Sequence, residues 1–188
     1  MPTKVVVLLS GGIDSASVLA YYRDKAKEED EQWEVSALFF DYGQPALSSE
    51  WKAAQAIAKH YDVPIQKESL AFALVARRDE YFGRNALFAL IAAAQMGWQE
   101  TTVAMGIHAG IYYDTTTKFI ADLQRVLDGY AQGTSLLIAP FATYTKEGIV
   151  RWAQQRQVPL HLTYSCQRRE RPCGRCLACQ ERRSLLAT

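Results

Sequence analysis

Cysteine is absent from the first 165 residues of this 188-residue chain; all four, Cys166, Cys173, Cys176 and Cys179, fall in one short segment near the end. An evenly spread set would point to disulfides, whereas this crowding points to metal. Long hydrophobic runs are also lacking. Val5-Val6-Val7-Leu8-Leu9 is stopped at Gly11-Gly12, far short of a bilayer span and without the form of a cleavable signal. No membrane partner is expected, and a cytoplasmic location is the default. Charge of one sign is missing as well: 21 basic and 20 acidic residues leave a formal net charge of +1. No global field therefore selects nucleic acid, and nucleic acid is not expected as a partner. The three histidines, His60, His108 and His161, are scattered without metal-ligand spacing, and none is predicted to be catalytic. There is no internal repeat and no low-complexity linker.

What is present is an ordinary globular balance, 49% hydrophobic and 22% charged, enough for one domain with a small appendage. The β-branched run Val5–Leu9 reads as a buried parallel strand. Val18, Leu19, Tyr22 and Ala26 recur at helical spacing, and the charged stretch Lys27–Glu31 closes that unit. Further strands are expected at Val35–Phe40, Val63–Glu68, Thr102–Gly106 and Leu136–Ala139. Helices are expected at Ser48–His60, Asn85–Met96, Thr116–Tyr130 and Thr145–Arg156, the last with Thr145 as N-cap. This alternation predicts an α/β fold with a doubly wound, five-stranded parallel sheet. The composition changes near Leu162, so the expected organisation is an α/β body over 1–162 and an Arg- and Cys-rich appendage over 163–188.

Ser10-Gly11-Gly12-Ile13-Asp14-Ser15 joins the first strand to the first helix. Two glycines allow a tight turn that brings several backbone N–H groups to an anion, and the following helix adds its dipole. Ser10 and Ser15 can donate hydroxyl hydrogen bonds, and Asp14 can hold Mg2+ beside the phosphates. The loop has neither the Gly-x4-Gly-Lys-Ser/Thr of a Walker A loop nor a Gly-x-Gly-x2-Gly fingerprint. The bland alternative is a strand-to-helix turn that uses glycine for steric reasons. Serine on both sides, the acid, and a place at the first turn of an α/β sheet favour phosphate binding.

Cys166-x6-Cys173-Gly174-Arg175-Cys176-Leu177-Ala178-Cys179 offers four thiols, enough for one tetrahedral Zn2+ site of the structural kind. An iron–sulfur cluster is the rival reading.

The Ser10–Ser15 loop resembles the signature of the ATP pyrophosphatases, which split ATP between its α- and β-phosphates and transfer AMP to an oxygen. Adding Phe40-Asp41-Tyr42-Gly43-Gln44, Gly83-Arg84-Asn85, Gly106-Ile107-His108, Tyr113-Asp114, Thr145-Lys146 and the cysteine ending, the chain looks like the 7-cyano-7-deazaguanine synthase family from Val5 to about Arg183. That resemblance implies an adenine nucleotide alpha hydrolase-like fold and an ATP-dependent C–N ligase. In that family 7-carboxy-7-deazaguanine is adenylated, ammonia displaces AMP to give an amide, and a second ATP drives dehydration to the nitrile.

Carried onto this chain, the resemblance assigns Ser10, Gly11, Gly12, Ile13, Asp14, Ser15, Gly106 and Lys146 to ATP, with Leu38, Phe39 and Phe40 along the adenine. Asp14 and Lys146 would be the catalytic pair, Tyr42, Gln44, Arg84, Asn85 and Asp114 the substrate pocket, and the four cysteines the metal site. A homodimer is expected, with the apolar face of Asn85–Met96 as a contact or as core. The chain departs from the family in a shortened stretch between Leu70 and Gly83 and in Thr115-Thr116 after Asp114, where members carry cysteine and arginine. Two alternatives accompany the reading. One is a relative that stops at the amide or joins the acid to another amine; the other is a tRNA-modifying sulfurtransferase, motivated by Arg168, Arg169, Arg171, Arg175, Arg182 and Arg183.

Overall fold

Strict alternation along the first two strands divides the interior in two, in a computed structural model that describes residues 3–28, 33–77 and 80–187. In β1 (Thr3–Leu8) and β2 (Trp33–Asp41), Val5, Val7, Ala37 and Phe39 face one side of the sheet, and Val6, Leu38 and Phe40 face the other. Strands buried on both faces need helices on both faces. α1 (Ile13–Glu28), α2 (Leu47–His60) and α5 (Lys146–Gln155) cover the first side. α3 (Arg84–Met96) and α4 (Thr117–Ala131) cover the second.

With β3 (Ile65–Ser69), β6 (Thr101–Met105) and β7 (Ser135–Ile138), the sheet is five-stranded in the order β3-β2-β1-β6-β7, and every pairing is parallel. The α/β reading therefore holds, and the expected elements fall within a few residues of those observed. Thr145 caps α5 as expected, its hydroxyl accepting from Gly148 N. Residues 29–31 of the charged stretch after α1 lie outside the described residues.

Two features were not expected from the sequence, and a third decides between two alternatives it left open. The shortened stretch before Gly83 holds a small antiparallel pair, β4 (Ala76–Arg77) with β5 (Glu80–Tyr81). Residues 163–188 contain a helix, α6 (Leu177–Leu186), with Cys176 at its N-cap position but no side-chain cap bond. The apolar face of α3 is turned inward: Ala89, Ala92 and Ala93 are buried in the second core, with Leu90 and Ile91 packed against it. Cys166, Cys176 and Cys179 form a third, separate buried cluster.

Candidate active site and cysteine centre

The sheet order reverses between β1 and β6, because the chain runs outward through β2 and β3 and then returns to the other side. Open α/β sheets bind ligands at the carboxyl ends of the strands at such a switch point. The Ser10–Ser15 loop leaves β1 there. Gly11 has φ +82, and a Cβ on it would lie 2.5 Å from the Glu50 carbonyl oxygen, so only glycine lets the loop pass this close to α2. Ser15 Oγ accepts from Ser10 N and donates to Gly12 O, both at 3.2 Å, and lies 3.1 Å from Ser10 Oγ. Ile13 and Ser15 are buried, Ile13 in the first core. Both serines thus shape the loop. Gly106, at the end of β6, is the matching close approach: a Cβ there would stand 2.6 Å from Ser15 N and 2.8 Å from Asp14 C.

Asp14 is the centre of the arrangement. Its Oδ1 receives Lys146 Nζ at 2.5 Å, and its Oδ2 lies 3.1 Å from His108 Nδ1. Loops after β1, β6 and β7 therefore converge on one carboxylate. Burial pushes the Asp14 carboxyl up, but the hydrogen bond from His108 and the charge and hydrogen bond of Lys146 outweigh it and hold it below the ordinary carboxylate value. His108 was set aside on sequence because no second histidine or cysteine stood at metal spacing. The signal that could have found it was its place two residues after Gly106, at the end of the strand beside β1.

Leu38, Phe39 and Phe40 are buried, with side chains in the two cores and not in the cleft. Leu38 O already accepts from Leu9 N at 2.9 Å, so only backbone edges of this strand are left for a ligand. Gln44 is buried and its amide holds its own loop: Oε1 accepts from Tyr42 N, and Nε2 donates to Phe40 O and Glu50 Oε2. Those bonds fix the loop that carries Tyr42.

Tyr42 and Arg84 do meet. Arg84 NH1 donates to Tyr42 Oη at 3.2 Å, and the guanidinium lies 5.7 and 5.6 Å from the ring centroids of Tyr42 and Tyr81. Phe88 extends the aromatic wall, stacked on Phe40 at 4.2 Å. Asn85 Nδ2 reaches Asp114 O at 3.4 Å, which brings the last two expected pocket residues together through the backbone. Thr115 and Thr116 spend their hydroxyls on Tyr112 O and Tyr113 O, and Thr116 caps α4.

The four cysteine sulfurs lie within 4.8 Å of one another, and Cys173 Sγ is 4.0 Å from Cys179 Sγ. Backbone N–H groups of Arg175 and Cys176 stabilise the Cys173 thiolate and bring its pKa down to about 6, whereas burial pushes Cys179 up to about 11. Four sulfurs this close could hold one metal ion. Among the arginines of this segment, Arg182 is turned inward, donating to Thr163 Oγ1, Ser165 Oγ and Leu160 O, which removes it from any phosphate-binding patch.

A family model described as queuosine biosynthesis protein QueC matches residues 4–79 and 78–188. The chain belongs to the QueC family. The 7-cyano-7-deazaguanine synthase of Thermoplasma volcanium is 34% identical, over 97% of this chain and 86% of that protein. The 7-cyano-7-deazaguanine synthase 1 of Desulfitobacterium hafniense is 30% identical, over 95% of this chain and 89% of that protein. The relatives' names and the family description both point to the queuosine pathway. Among solved structures, the U34-tRNA thiolase NcsA of Methanococcus maripaludis, with its 4Fe–4S cluster, is similar with a TM-score of 0.55 at 14% identity. It covers 96% of this chain, which spans 63% of the thiolase. That likeness is one of fold. Among the described residues, no helix is long and apolar enough to cross a membrane.

Proposed function

We propose that the chain is an ATP-dependent C–N ligase that adenylates the carboxylate of 7-carboxy-7-deazaguanine and converts it with ammonia to the amide and then the nitrile. The observation that carries this reading is the convergence of Lys146 and the glycine loop on Asp14 at the switch point, in a chain of the QueC family. The loop amides and Ser10 would bind the leaving pyrophosphate, and Lys146 would place a point charge on it. Asp14 would hold Mg2+, which would neutralise phosphate charge when bound; a mostly buried carboxyl held below its ordinary value supports that reading. Arg84, with Tyr42, Tyr81 and Phe88, forms a cationic, aromatic wall suited to a flat acid such as a deazaguanine carboxylate. Asn85 and Asp114 would complete the pocket on the α4 side.

In the same reading, residues 163–188 are a structural appendage whose Cys166, Cys173, Cys176 and Cys179 hold one Zn2+. Sulfurs on a tetrahedral zinc are separated by about 3.8 Å, given a Zn–S bond of about 2.3 Å. The 4.0 Å between Cys173 and Cys179 supports a single ion, since a four-iron cluster spreads its thiolates wider.

Incubation with ATP, ammonium and the carboxy-deazaguanine tests the function. AMP with the amide or nitrile, identified by mass spectrometry, is the expected result. No acid-dependent AMP above background would reject it. The amide-stopping relative is kept as a second reading because Thr115 and Thr116 spend their hydroxyls on their own turn and cap. A clean nitrile product eliminates it.

A further inference from the structure

We propose that Arg182 is a positioning residue for the glycine loop, acting through Tyr164 to aim the Gly12 amide at a bound phosphate. The role rests on the phosphate-binding reading of that loop given above. Tyr164 donates its backbone N–H to Gly11 O at 2.8 Å. The C=O and N–H of one trans peptide point in opposite directions. Holding Gly11 O against Tyr164 therefore turns Gly12 N–H the other way, toward Ser10 Oγ at 3.4 Å on the exposed side of the loop. Glycine on both sides of this peptide lets it turn over at little steric cost. Its orientation then depends on a tie from outside the loop, and the Tyr164 N–H is that tie.

Arg182 grips the tie from both sides. Its NH1 donates to Thr163 Oγ1 at 2.6 Å and to Ser165 Oγ at 3.2 Å, the two residues that flank Tyr164, and its NH2 donates to Leu160 O at 2.9 Å. Thr163 Oγ1 gives its own proton to Leu160 O at 2.7 Å, which leaves its lone pairs for NH1. Thr163 is buried and Arg182 half-buried. These three acceptors are neutral, two hydroxyls and a carbonyl. A guanidinium spent on them is used for its rigid fork and not for an ion pair. The fork fastens α6 to residues 160–165, and Tyr164 fastens that segment to the loop. None of these bonds passes through a cysteine. Loosening the fork would let the Gly11–Gly12 peptide populate both orientations, and apparent affinity for phosphate falls in proportion to the competent fraction.

The test uses the full, metal-loaded chain with magnesium pyrophosphate as the probe, titrated calorimetrically into wild type, R182Q, T163V and T163S. R182Q and T163V are each expected to bind about tenfold more weakly, and the double variant no more than about twofold weaker than either, as for two members of one contact. T163S keeps the hydroxyl and should stay within about twofold of wild type. Metal content per chain should be the same in all. In acid-dependent exchange of labelled pyrophosphate into ATP, KM for pyrophosphate should rise with R182Q and T163V while KM for the acid holds; a general loosening of the fold would move both. Wild-type affinity in R182Q and T163V, a loss in T163S equal to that in T163V, an equal rise in both KM values, or loss of metal along with affinity would overturn the role of Arg182. Absence of pyrophosphate binding by the wild type would instead reject the phosphate-binding reading of the loop, so the two failures are distinguished.

Discussion

Tyr164 donates its backbone N–H to the carbonyl oxygen of Gly11 at 2.8 Å, which bonds the segment entering the cysteine centre directly to the glycine loop. A second tie runs beside it. The N-cap of α2 is Ala46, which offers no side-chain cap, and the carboxylate of Glu170 supplies one instead, accepting from Ser48 N at 2.9 Å and Ser49 N at 2.7 Å. α2 in turn backs Gly11 through Glu50 O. Two distant parts of the sequence, the cysteine cluster and the glycine loop, are thus tied to each other.

On the proposed reading of a zinc at the cysteines and a nucleotide at the glycine loop, removing the ion should be felt at the loop. Structural zinc contributes folding free energy directly, so metal-stripped protein should melt roughly 10 °C lower, a loss of several kcal/mol for a chain of this size. Its affinity for ATP should also weaken by about tenfold, as the Tyr164 and Glu170 ties loosen. Calorimetric melting, nucleotide titration and metal analysis before and after chelation check this. One ion per chain is expected. Unchanged ATP affinity after stripping would mean the two ends are independent.

Gly106 and Gly129 should respond to alanine in opposite directions. At Gly106 the new methyl would meet the backbone of Asp14 and Ser15 at 2.6 to 2.8 Å, and backbone cannot swing aside as a side chain can. G106A should cost about 1–3 kcal/mol and reduce turnover by about 10²-fold, since a displacement near 1 Å at the site is enough. Gly129 lies inside α4 with nothing within 4 Å of its would-be Cβ, and G129A should stabilise by about 0.5–1 kcal/mol. Urea denaturation of both variants decides the sign.

Lys146 and its neighbour Thr145 separate charge from capping. Lys146 Nζ sits 2.5 Å from Asp14 Oδ1 and is 22% exposed, a close, half-enclosed fit for a compact ammonium. A branched guanidinium will not occupy the same space, so K146R should lower kcat/KM for ATP by about 10²-fold despite keeping the charge. T145A removes the bond to Gly148 N and should cost about 1 kcal/mol of stability with a much smaller effect on ATP. Steady-state kinetics beside thermal melts separate the two.

The sheet was legible because its strands and helices carry clean periods: Val5–Leu9 alternates between two cores, and β6 is buried at every position. The glycine loop was legible because its glycine is forced by close contact, which leaves a trace in the sequence. Side-chain convergence left none. Nothing in the spacing of Asp14, His108 and Lys146 says that three loops share one carboxylate, since that follows from the strand order alone. Phe88 gave no sign either, because an aromatic at helical spacing reads as core, and Tyr81 lies in a two-residue strand too short to show a period. Gln44 shows the same limit: its place in a motif says nothing of the three hydrogen bonds that tie it to Phe40, Tyr42 and Glu50.

The Asp14 carboxylate should leave a signature in stability against pH. Burial raises its pKa, and the His108 hydrogen bond with the Lys146 charge and hydrogen bond more than reverses this, so the folded value lies below the ordinary 3.8. A carboxyl lowered by folding binds its proton more readily in the unfolded chain. Its contribution is then fully present once pH is well above 3.8 and is lost as pH falls through that value toward the folded pKa. D14N removes the charge and leaves the Lys146 ammonium without its partner. At pH 7 the variant should be less stable by roughly 1–3 kcal/mol and turn over about 10²-fold more slowly. The gap in melting temperature between wild type and D14N should narrow as the pH is taken from 6 toward 3. A gap that stays constant over that range would show that the ionised carboxylate is not what binds the three loops together.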